Sequence, residues 1–292
     1  MLSKCTLCPR ECGANRNAGQ KGFCGADNLI KIARSALHFW EEPCISGTRG
    51  SGTVFFSHCT MKCIYCQNYE ISTMGKGRVV TTGELADCFV DLQDKGAHNI
   101  NLVTPTHYVP GIIEALDKAR ESGLNLPVAY NCGGYEKVET IELLKDHVSI
   151  YMPDVKYFSD KYAVEYSSAP NYFEYTKKAL GKMVNQVGES VFDKNGIMQK
   201  GVIVRHLMLP GMLFETKKIV EYLAKTYGDR VYISLMSQYT PMENVCCHPK
   251  LGRRLNPNHY EAMAEHIEFL GLNNVYLQDI TSATSDFIPE FC

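Results

Sequence analysis

The sequence predicts an α/β protein built as a parallel barrel or partial barrel, preceded by a small cysteine-rich segment. Short apolar runs rich in β-branched residues alternate with helix-like stretches from about residue 50 onward, whereas the first 24 residues hold four cysteines and little periodicity. Strands that alternate with helices in this way form parallel sheets, whose chemistry lies at the C-terminal strand ends. We therefore divide the chain into a cysteine-rich N-terminal segment, 1–48, and a barrel, 49–292.

Six runs have the composition of buried parallel strands, because they are short, apolar and rich in Val and Ile. They span residues 53–56, 100–103, 128–130, 148–152, 202–207 and 231–235. Amphipathic helices are predicted after Thr81, near Pro110 and from about Asn258, where apolar residues recur at helical spacing. Glu84 follows Thr81 by three residues, which is the pattern of a capping box.

Composition restricts the classes of function. The chain has 292 residues, 45% of them hydrophobic, and a formal net charge of -2, so it can bury a full core and lacks the basic surface of a general nucleic-acid binder. Since no apolar run reaches the length of a membrane span, we expect a cytoplasmic protein with no membrane partner. Thirteen cysteines, an odd number clustered at short spacings, favour thiolate ligands over disulfides.

The most informative motif follows the first predicted strand directly. Cys59, Cys63 and Cys66 have the spacing C-x3-C-x2-C on one loop. Three thiolates can bind three irons of a 4Fe-4S cluster and leave the fourth iron open, and an open position makes a metal centre reactive. The alternatives are a zinc site in which His58 supplies the fourth ligand and reduced cysteines packed in a core.

A second set of cysteines lies near the N-terminus, where Cys5, Cys8, Cys12 and Cys24 place four thiols within twenty residues. The segment is too polar to form a core of its own, so we expect a bound metal to order it. Four thiolates suit zinc and an auxiliary iron–sulfur cluster equally well, and four free cysteines remain an alternative.

These motifs resemble the radical S-adenosylmethionine (SAM) superfamily, in which such a cysteine loop follows the first barrel strand. The stretch from Cys5 to Cys24, the run Ser46-Gly47-Thr48-Arg49-Gly50-Ser51-Gly52 and the cysteine loop together resemble a poorly characterised family related to pyruvate formate-lyase activating enzymes. The resemblance implies a partial (β/α)6 TIM-like barrel and a 4Fe-4S cluster that cleaves SAM reductively to a 5'-deoxyadenosyl radical. It further implies hydrogen abstraction from a protein glycine and a flavodoxin- or ferredoxin-type electron donor.

The same resemblance suggests which residues hold SAM. Tyr65 and Asn68 flank the last cysteine, at the position where relatives hold the adenine. Relatives carry Gly-Gly-Glu after the second strand to bind the methionine amino group, whereas this chain has Thr104-Pro105-Thr106-His107. The departure leaves that contact in question, and Thr104 is our expectation for it because its oxygens can accept hydrogen bonds.

Charged residues follow two later strands. Asp154 and Lys156 resemble the Asp-x-Lys pair of activating enzymes, and strand alternation points both side chains the same way. Arg205 lies among apolar residues at the end of the fifth strand, where it could bind a carboxylate bidentately. Gln238 and Tyr239 follow the sixth strand and could contact either cofactor or substrate.

Several features stay open at the level of sequence. The glycines of Asn131-Cys132-Gly133-Gly134 could let the backbone approach a ligand, and we interpret Cys246 and Cys247 as part of an ordinary loop; no role is assigned to Cys44 and no catalytic residue is named. Besides glycine activation, the alternatives are radical modification of a small molecule or peptide side chain, a non-enzymatic iron–sulfur or zinc protein, and RNA modification. Buried charges at strand ends disfavour the non-enzymatic alternative.

Overall fold

Ten strands form one sheet in the computed structural model, which describes residues 1–279. The strands are β1 (Ile30–His38), β2 (Ser51–Phe56), β3 (Arg78–Val80), β4 (Ile100–Val103), β5 (Val128–Cys132), β6 (Ile150–Pro153), β7 (Val191–Phe192), β8 (Met198–Leu207), β9 (Tyr232–Met236) and β10 (Val275–Leu277). Their order is β10-β9-β8-β6-β5-β4-β2-β1-β3, with β7 paired to β8 beside this path. Within the described residues the edge strands β3 and β10 do not pair with each other, so the sheet is an open partial barrel.

The six predicted strands correspond to β2, β4, β5, β6, β8 and β9, and each pairs in parallel with the next. Both faces of these strands are buried, which explains why they appear in the sequence as continuous apolar runs. The predicted fold class, an α/β partial TIM-like barrel, is confirmed.

Nine α-helices connect or flank the strands in the described residues. They are α1 (Pro43–Ser46), α2 (Tyr69–Ser72), α3 (Thr82–Asp94), α4 (Val109–Glu121), α5 (Val138–Leu143), α6 (Asp160–Ser167), α7 (Tyr172–Val187), α8 (Leu213–Thr226) and α9 (Pro257–Phe269). The capping box predicted at Thr81 and Glu84 is present at the start of α3. No helix within residues 1–279 is both long and apolar enough to cross a membrane.

The two faces of the sheet pack against different partners. Alternate residues such as Val128 and Tyr130 join the apolar faces of α3, α4, α7 and α8 in one large core. The opposite face is covered in part by the short helix α1, whose Cys44 and Ile45 are buried. They cluster with Ala129, Ile150, Met152, Met198 and Ile203. Helix α1 therefore covers part of this face of the sheet.

The structure adds strands that the sequence analysis did not predict. β1, inside the segment 1–48, pairs antiparallel with both β2 and β3 and so extends the sheet beyond the barrel strands. Buried Ile30 and Ile32 alternate with less buried residues, the pattern of a strand with one face on the core. Residues on both sides of position 48 thus belong to one sheet. The domain boundary at residue 48 stays a prediction.

Candidate functional site

The cysteine loop occupies residues 57–68, directly after β2. Each of its three sulfurs accepts a hydrogen bond: Cys59 from the Met61 backbone N–H (3.4 Å), Cys63 from the Ser167 hydroxyl (2.9 Å) and Cys66 from the Ser72 hydroxyl (3.3 Å). Donors directed at sulfur stabilise thiolate charge and tune the reduction potential of a bound cluster. The loop thus meets the chemical requirements of a three-cysteine iron–sulfur ligand set.

A single-ion site does not fit this loop. Among residues 1–279, no three His, Cys, Asp or Glu side chains come together as the ligands of one metal ion would. The side chain of His58, the alternative fourth zinc ligand, packs against Gly25 and Gly75 and lies edge-on to the His107 ring. A cluster requires wider sulfur spacing, because each thiolate binds a different iron. The residues therefore fit a cluster better than zinc.

Burial alone disfavours thiolates at this loop. It raises the pKa of Cys66 to about 12 and raises the pKa of Cys63, although the nearby Lys156 and the Ser167 hydroxyl act in the opposite direction on Cys63. Ligand thiols must lose their protons on metal binding. Positive charge and hydrogen-bond donors around the loop therefore favour the bound, deprotonated form.

A cavity of about 530 Å³ lies beside the loop at the C-terminal ends of the barrel strands. This volume falls within the usual range of small-molecule sites. Its lining includes Cys63 and Cys66 together with five of the six predicted cofactor residues, which are Tyr65, Asn68, Asp154, Lys156 and Arg205. Thr104 is not among the lining residues; its backbone N–H bonds to the Asn131 carbonyl. Its role stays a prediction.

Four charged side chains form one network in this cavity. Asp154 accepts from Lys156 at 2.6 Å and from Arg205 at 3.1 Å, while Arg205 also donates to Glu41 at 2.9 Å. The third guanidinium nitrogen bonds to the Asn131 side-chain oxygen at 2.7 Å. All three nitrogens of Arg205 are thus engaged within the protein, whereas the ammonium of Lys156 forms one ion pair.

The protonation states of this network follow from its pairing. Burial would raise the pKa of Asp154, but Lys156 and Arg205 hold it below its ordinary value. Burial likewise acts to lower the pKa values of Lys156 and Arg205. The nearby carboxylate of Asp154 outweighs burial and raises both pKa values, and Glu41 adds to this effect at Arg205. Asp154, Lys156 and Arg205 are therefore charged at neutral pH.

Sequence reasoning missed Glu41 and Glu42, which immediately precede α1. Glu41 accepts from the side-chain amides of Asn101 (3.1 Å) and Asn131 (3.3 Å), both on barrel strands. Glu42 is buried, lines the cavity and has an oxygen, Oε2, without a hydrogen-bond partner among residues 1–279. Burial raises its pKa, although Arg205 opposes the shift. Two adjacent acids before a proline were the available signal, together with polar Asn residues inside apolar strands.

The remaining predicted positions divide between the cavity and its supports. Gln238 lines the cavity, whereas the buried Tyr239 donates to the Leu251 carbonyl and packs edge-on against Tyr65. The Tyr65 hydroxyl is hydrogen-bonded to that of Tyr157 at 2.7 Å. A Cβ at Gly134, whose φ is +79°, would lie 2.0 Å from the Asp154 carbonyl oxygen. The glycine therefore permits approach of protein backbone at this point.

The other cysteines of residues 1–279 are not among the residues that line the cavity. Cys5, Cys8 and Cys24 are buried in the N-terminal loops and Cys12 is exposed. Cys246 and Cys247 are exposed on the loop after β9, with 3.6 Å between their sulfurs. Cys44 is buried in α1, where burial raises its pKa to about 11.

Comparison with known proteins provides independent information. The sequence model described as "Radical SAM superfamily" matches residues 53–223. A protein described as "Uncharacterized protein MJ0674", from Methanocaldococcus jannaschii, is 28% identical over 286 residues, which cover 94% of this chain and 78% of that protein.

Solved structures of similar fold include Streptococcus suis SuiB bound to its precursor peptide SuiA, with a TM-score of 0.52 and 15% identity. The match covers 77% of this chain and 48% of SuiB, so the chain spans about half the length of that protein. Methylornithine synthase (PylB) matches with a TM-score of 0.52 and 13% identity over 75% of this chain and 60% of PylB. At these identities the likeness concerns the fold.

Proposed function

This chain belongs to the radical SAM superfamily, and we propose that Cys59, Cys63 and Cys66 bind a 4Fe-4S cluster beside a cavity that binds SAM. The observation that carries the proposal is the position of Cys63 and Cys66 in the wall of a cavity that also exposes Lys156 and Asp154. A cluster held by Cys59, Cys63 and Cys66 would supply the one electron that breaks the bond between the sulfonium and C5' of SAM, which gives methionine and a 5'-deoxyadenosyl radical.

The chain's own residues bind and orient SAM in this proposal. Lys156 contacts the methionine carboxylate or the ribose, because it is the cavity cation that has a single side-chain partner in the described part of the chain. Asn68 and the ring of Tyr65 contact the adenine beside the last cluster cysteine. Arg205 fixes Asp154 and Glu41 and contributes positive potential for the carboxylate.

For the substrate we propose a glycine of a partner protein, from which the radical abstracts a hydrogen atom. The motifs shared with activating enzymes support this, and so does the cavity rim. Trp40 lines the cavity and is 63% exposed, and its neighbour Phe39 is 50% exposed. Exposed aromatic side chains beside a reactive cavity suit contact with a protein or peptide surface.

We further propose a flavodoxin- or ferredoxin-type electron donor and a reducing, cytoplasmic setting, consistent with the free cysteines of residues 1–279.

A peptide side chain is the second candidate substrate. It is favoured by the same exposed rim and by the fold shared with SuiB, whose structure contains the precursor peptide SuiA. Both candidates require hydrogen transfer from substrate carbon to the deoxyadenosyl group.

The test is anaerobic incubation of the reconstituted protein with SAM and a low-potential reductant. We expect 5'-deoxyadenosine, because the open iron permits SAM to bind and be cleaved. Candidate partner proteins labelled with α-deuterated glycine should transfer deuterium to this product and acquire an organic radical signal whose splitting changes with the label. Absence of 5'-deoxyadenosine would contradict the enzymatic proposal. Partner-dependent 5'-deoxyadenosine that contains no deuterium would replace glycine with the second candidate.

A separate prediction concerns Lys156. Replacement Lys156→Met should weaken SAM binding by about 1.5 to 3 kcal/mol, the contribution of a charge-assisted hydrogen bond, while leaving the cluster spectrum unchanged. Trp40 is the single tryptophan and lies in the cavity wall, so its fluorescence provides a titration signal. The exposed Lys118→Met is the matched control. An unchanged midpoint for Lys156→Met would remove this residue from the cofactor site.

A further inference from the structure

Arg16 is a buried cation without a carboxylate partner. Its side chain is only 1% exposed, and its guanidinium donates to the backbone carbonyls of Asp27 and His107. Within residues 1–279 no Asp or Glu forms an ion pair with it. Carbonyl oxygens solvate a guanidinium but do not neutralise it, and an uncompensated buried charge is strongly destabilising. We therefore expect a negatively charged group close to Arg16 to compensate its buried charge.

The groups next to Arg16 are the N-terminal cysteines. One guanidinium nitrogen lies 3.9 Å from the Cys5 sulfur. Burial raises the pKa of Cys24, and the positive charge of Arg16 acts in the opposite direction. Cys24 in turn lies within electrostatic range of Cys12 and Cys5, and Cys8 within range of Cys24 and Cys5. The four thiols thus share one neighbourhood, at whose buried side the cation lies.

The local backbone is arranged around these sulfurs. Cys5 N–H bonds to the Ala14 carbonyl and Gly13 N–H bonds to the Cys5 carbonyl, which brings the ends of the first cysteine loop together. A Cβ at Gly22 would lie 2.4 Å from the Cys12 sulfur, so only glycine allows the second loop to pass so close. Residues 1–29 contain no α-helix or strand, only one turn of 3-10 helix at Arg16–Ala18. A centre that binds the sulfurs explains how this segment is held.

We propose that Cys5, Cys8, Cys12 and Cys24 bind a second iron–sulfur cluster and that Arg16 is its buried counter-charge. Four thiolates outweigh the positive charge of the cluster core, so the centre is anionic and compensates the guanidinium. No three of these sulfurs converge on a common point as the ligands of a single zinc ion would. A cluster accommodates wider spacing, since each thiolate has its own iron.

The proposed centre lies against the active-site loop. Arg10, between Cys8 and Cys12 in sequence, donates from Nε to the Thr60 carbonyl at 3.0 Å, and its other nitrogens donate to the carbonyls of Ser167 and Ser168. Thr60 is the residue after Cys59. Because the two loops touch, loss of one cluster can disturb the other, and each must be measured in a background that isolates it.

Iron content provides the first test, in a variant with Cys59, Cys63 and Cys66 all replaced by Ala. We expect this protein, reconstituted anaerobically with iron and sulfide, to retain about four irons per chain and absorption near 400 nm. Adding Cys12→Ala should reduce the iron at least twofold, and because Cys12 is exposed the change leaves no cavity in the core. Stoichiometric zinc in place of iron, or neither metal, would overturn the proposal.

The second test separates counter-charge from ordinary packing. In the iron-loaded variant that has Ala at positions 59, 63 and 66, Arg16→Met should lower the melting temperature and should reduce the iron content at least twofold. Arg16→Lys, which keeps the charge, should retain more iron than Arg16→Met. In chelated, metal-free protein the sign should reverse, since Met replaces an uncompensated buried cation and should melt at or above wild type. Exposed Arg253→Met is the control. Destabilisation of similar size in both states would show that Arg16 acts by packing alone and would overturn its assigned role.

Discussion

Replacing Cys59, Cys63 and Cys66 together by Ala is expected to remove about four irons per chain and to abolish 5'-deoxyadenosine formation completely. The three sulfurs are the iron ligands in our proposal. The hydroxyl and amide groups that donate hydrogen bonds to these sulfurs cannot replace them as ligands. Iron analysis, the difference in absorption near 400 nm and product quantification after incubation with SAM and reductant measure the effect.

The control for this variant is Cys88→Ala, which removes a half-buried cysteine on α3, outside the cysteine loop of residues 57–68. It should keep both the full iron content and the activity. Any iron that remains in the triple variant should depend on the N-terminal cysteines, so the two sites are distinguished by combining the substitutions. Retained SAM cleavage in the triple variant would place the reactive cluster elsewhere and contradict the site.

The barrel strands were predictable because their signal is local. β4 and β5 are buried on both faces, so Ile100–Val103 and Val128–Cys132 are recognisable without knowledge of their partners. The capping box at the start of α3 was predictable for the same reason, since both groups lie within one turn. β3 and β10 are three residues each and owe their conformation to pairing with β1 and β9. Short edge strands of this kind carry too little pattern of their own.

In the candidate site, too, local motifs were predictable and contacts between residues distant in sequence were not. The cysteine loop and the Asp154–Lys156 pair are local motifs, and the structure places four of their five side chains at the cavity, with Cys59 outside the lining residues. The contact between Arg205 and Glu41 joins residues 164 positions apart, and no spacing rule indicates it. Our expectation for Arg205 is a fixed cation that binds a ligand carboxylate bidentately. The structure shows that protein acceptors already occupy each of its nitrogens, because a buried guanidinium must be satisfied before any ligand arrives.

Because Arg205 is bonded within the protein, its replacement should have a large effect on stability. Arg205→Leu should lower the free energy of unfolding by about 3 to 5 kcal/mol, because it leaves Glu41 buried without its cation and removes one of the two partners of Asp154. Lys156→Met should cost less, since Asp154 keeps Arg205. Urea unfolding followed by far-ultraviolet circular dichroism measures the global effect, and the fluorescence of Trp40, adjacent to Glu41, reports the local one.

The double variant Glu41→Gln/Arg205→Leu tests the cause of this loss. If the cost of Arg205→Leu arises from the uncompensated carboxylate, removing that charge should recover part of the stability, so the two substitutions together should cost less than their sum. The control is Arg253→Leu, which should change stability little, because Arg253 is exposed and among the described residues its guanidinium bonds only to the Pro249 carbonyl. Strict additivity of the two substitutions would show that the ion pair contributes nothing to the fold. Arg205 would then be available to SAM despite its contacts, and its loss should appear in the SAM titration instead.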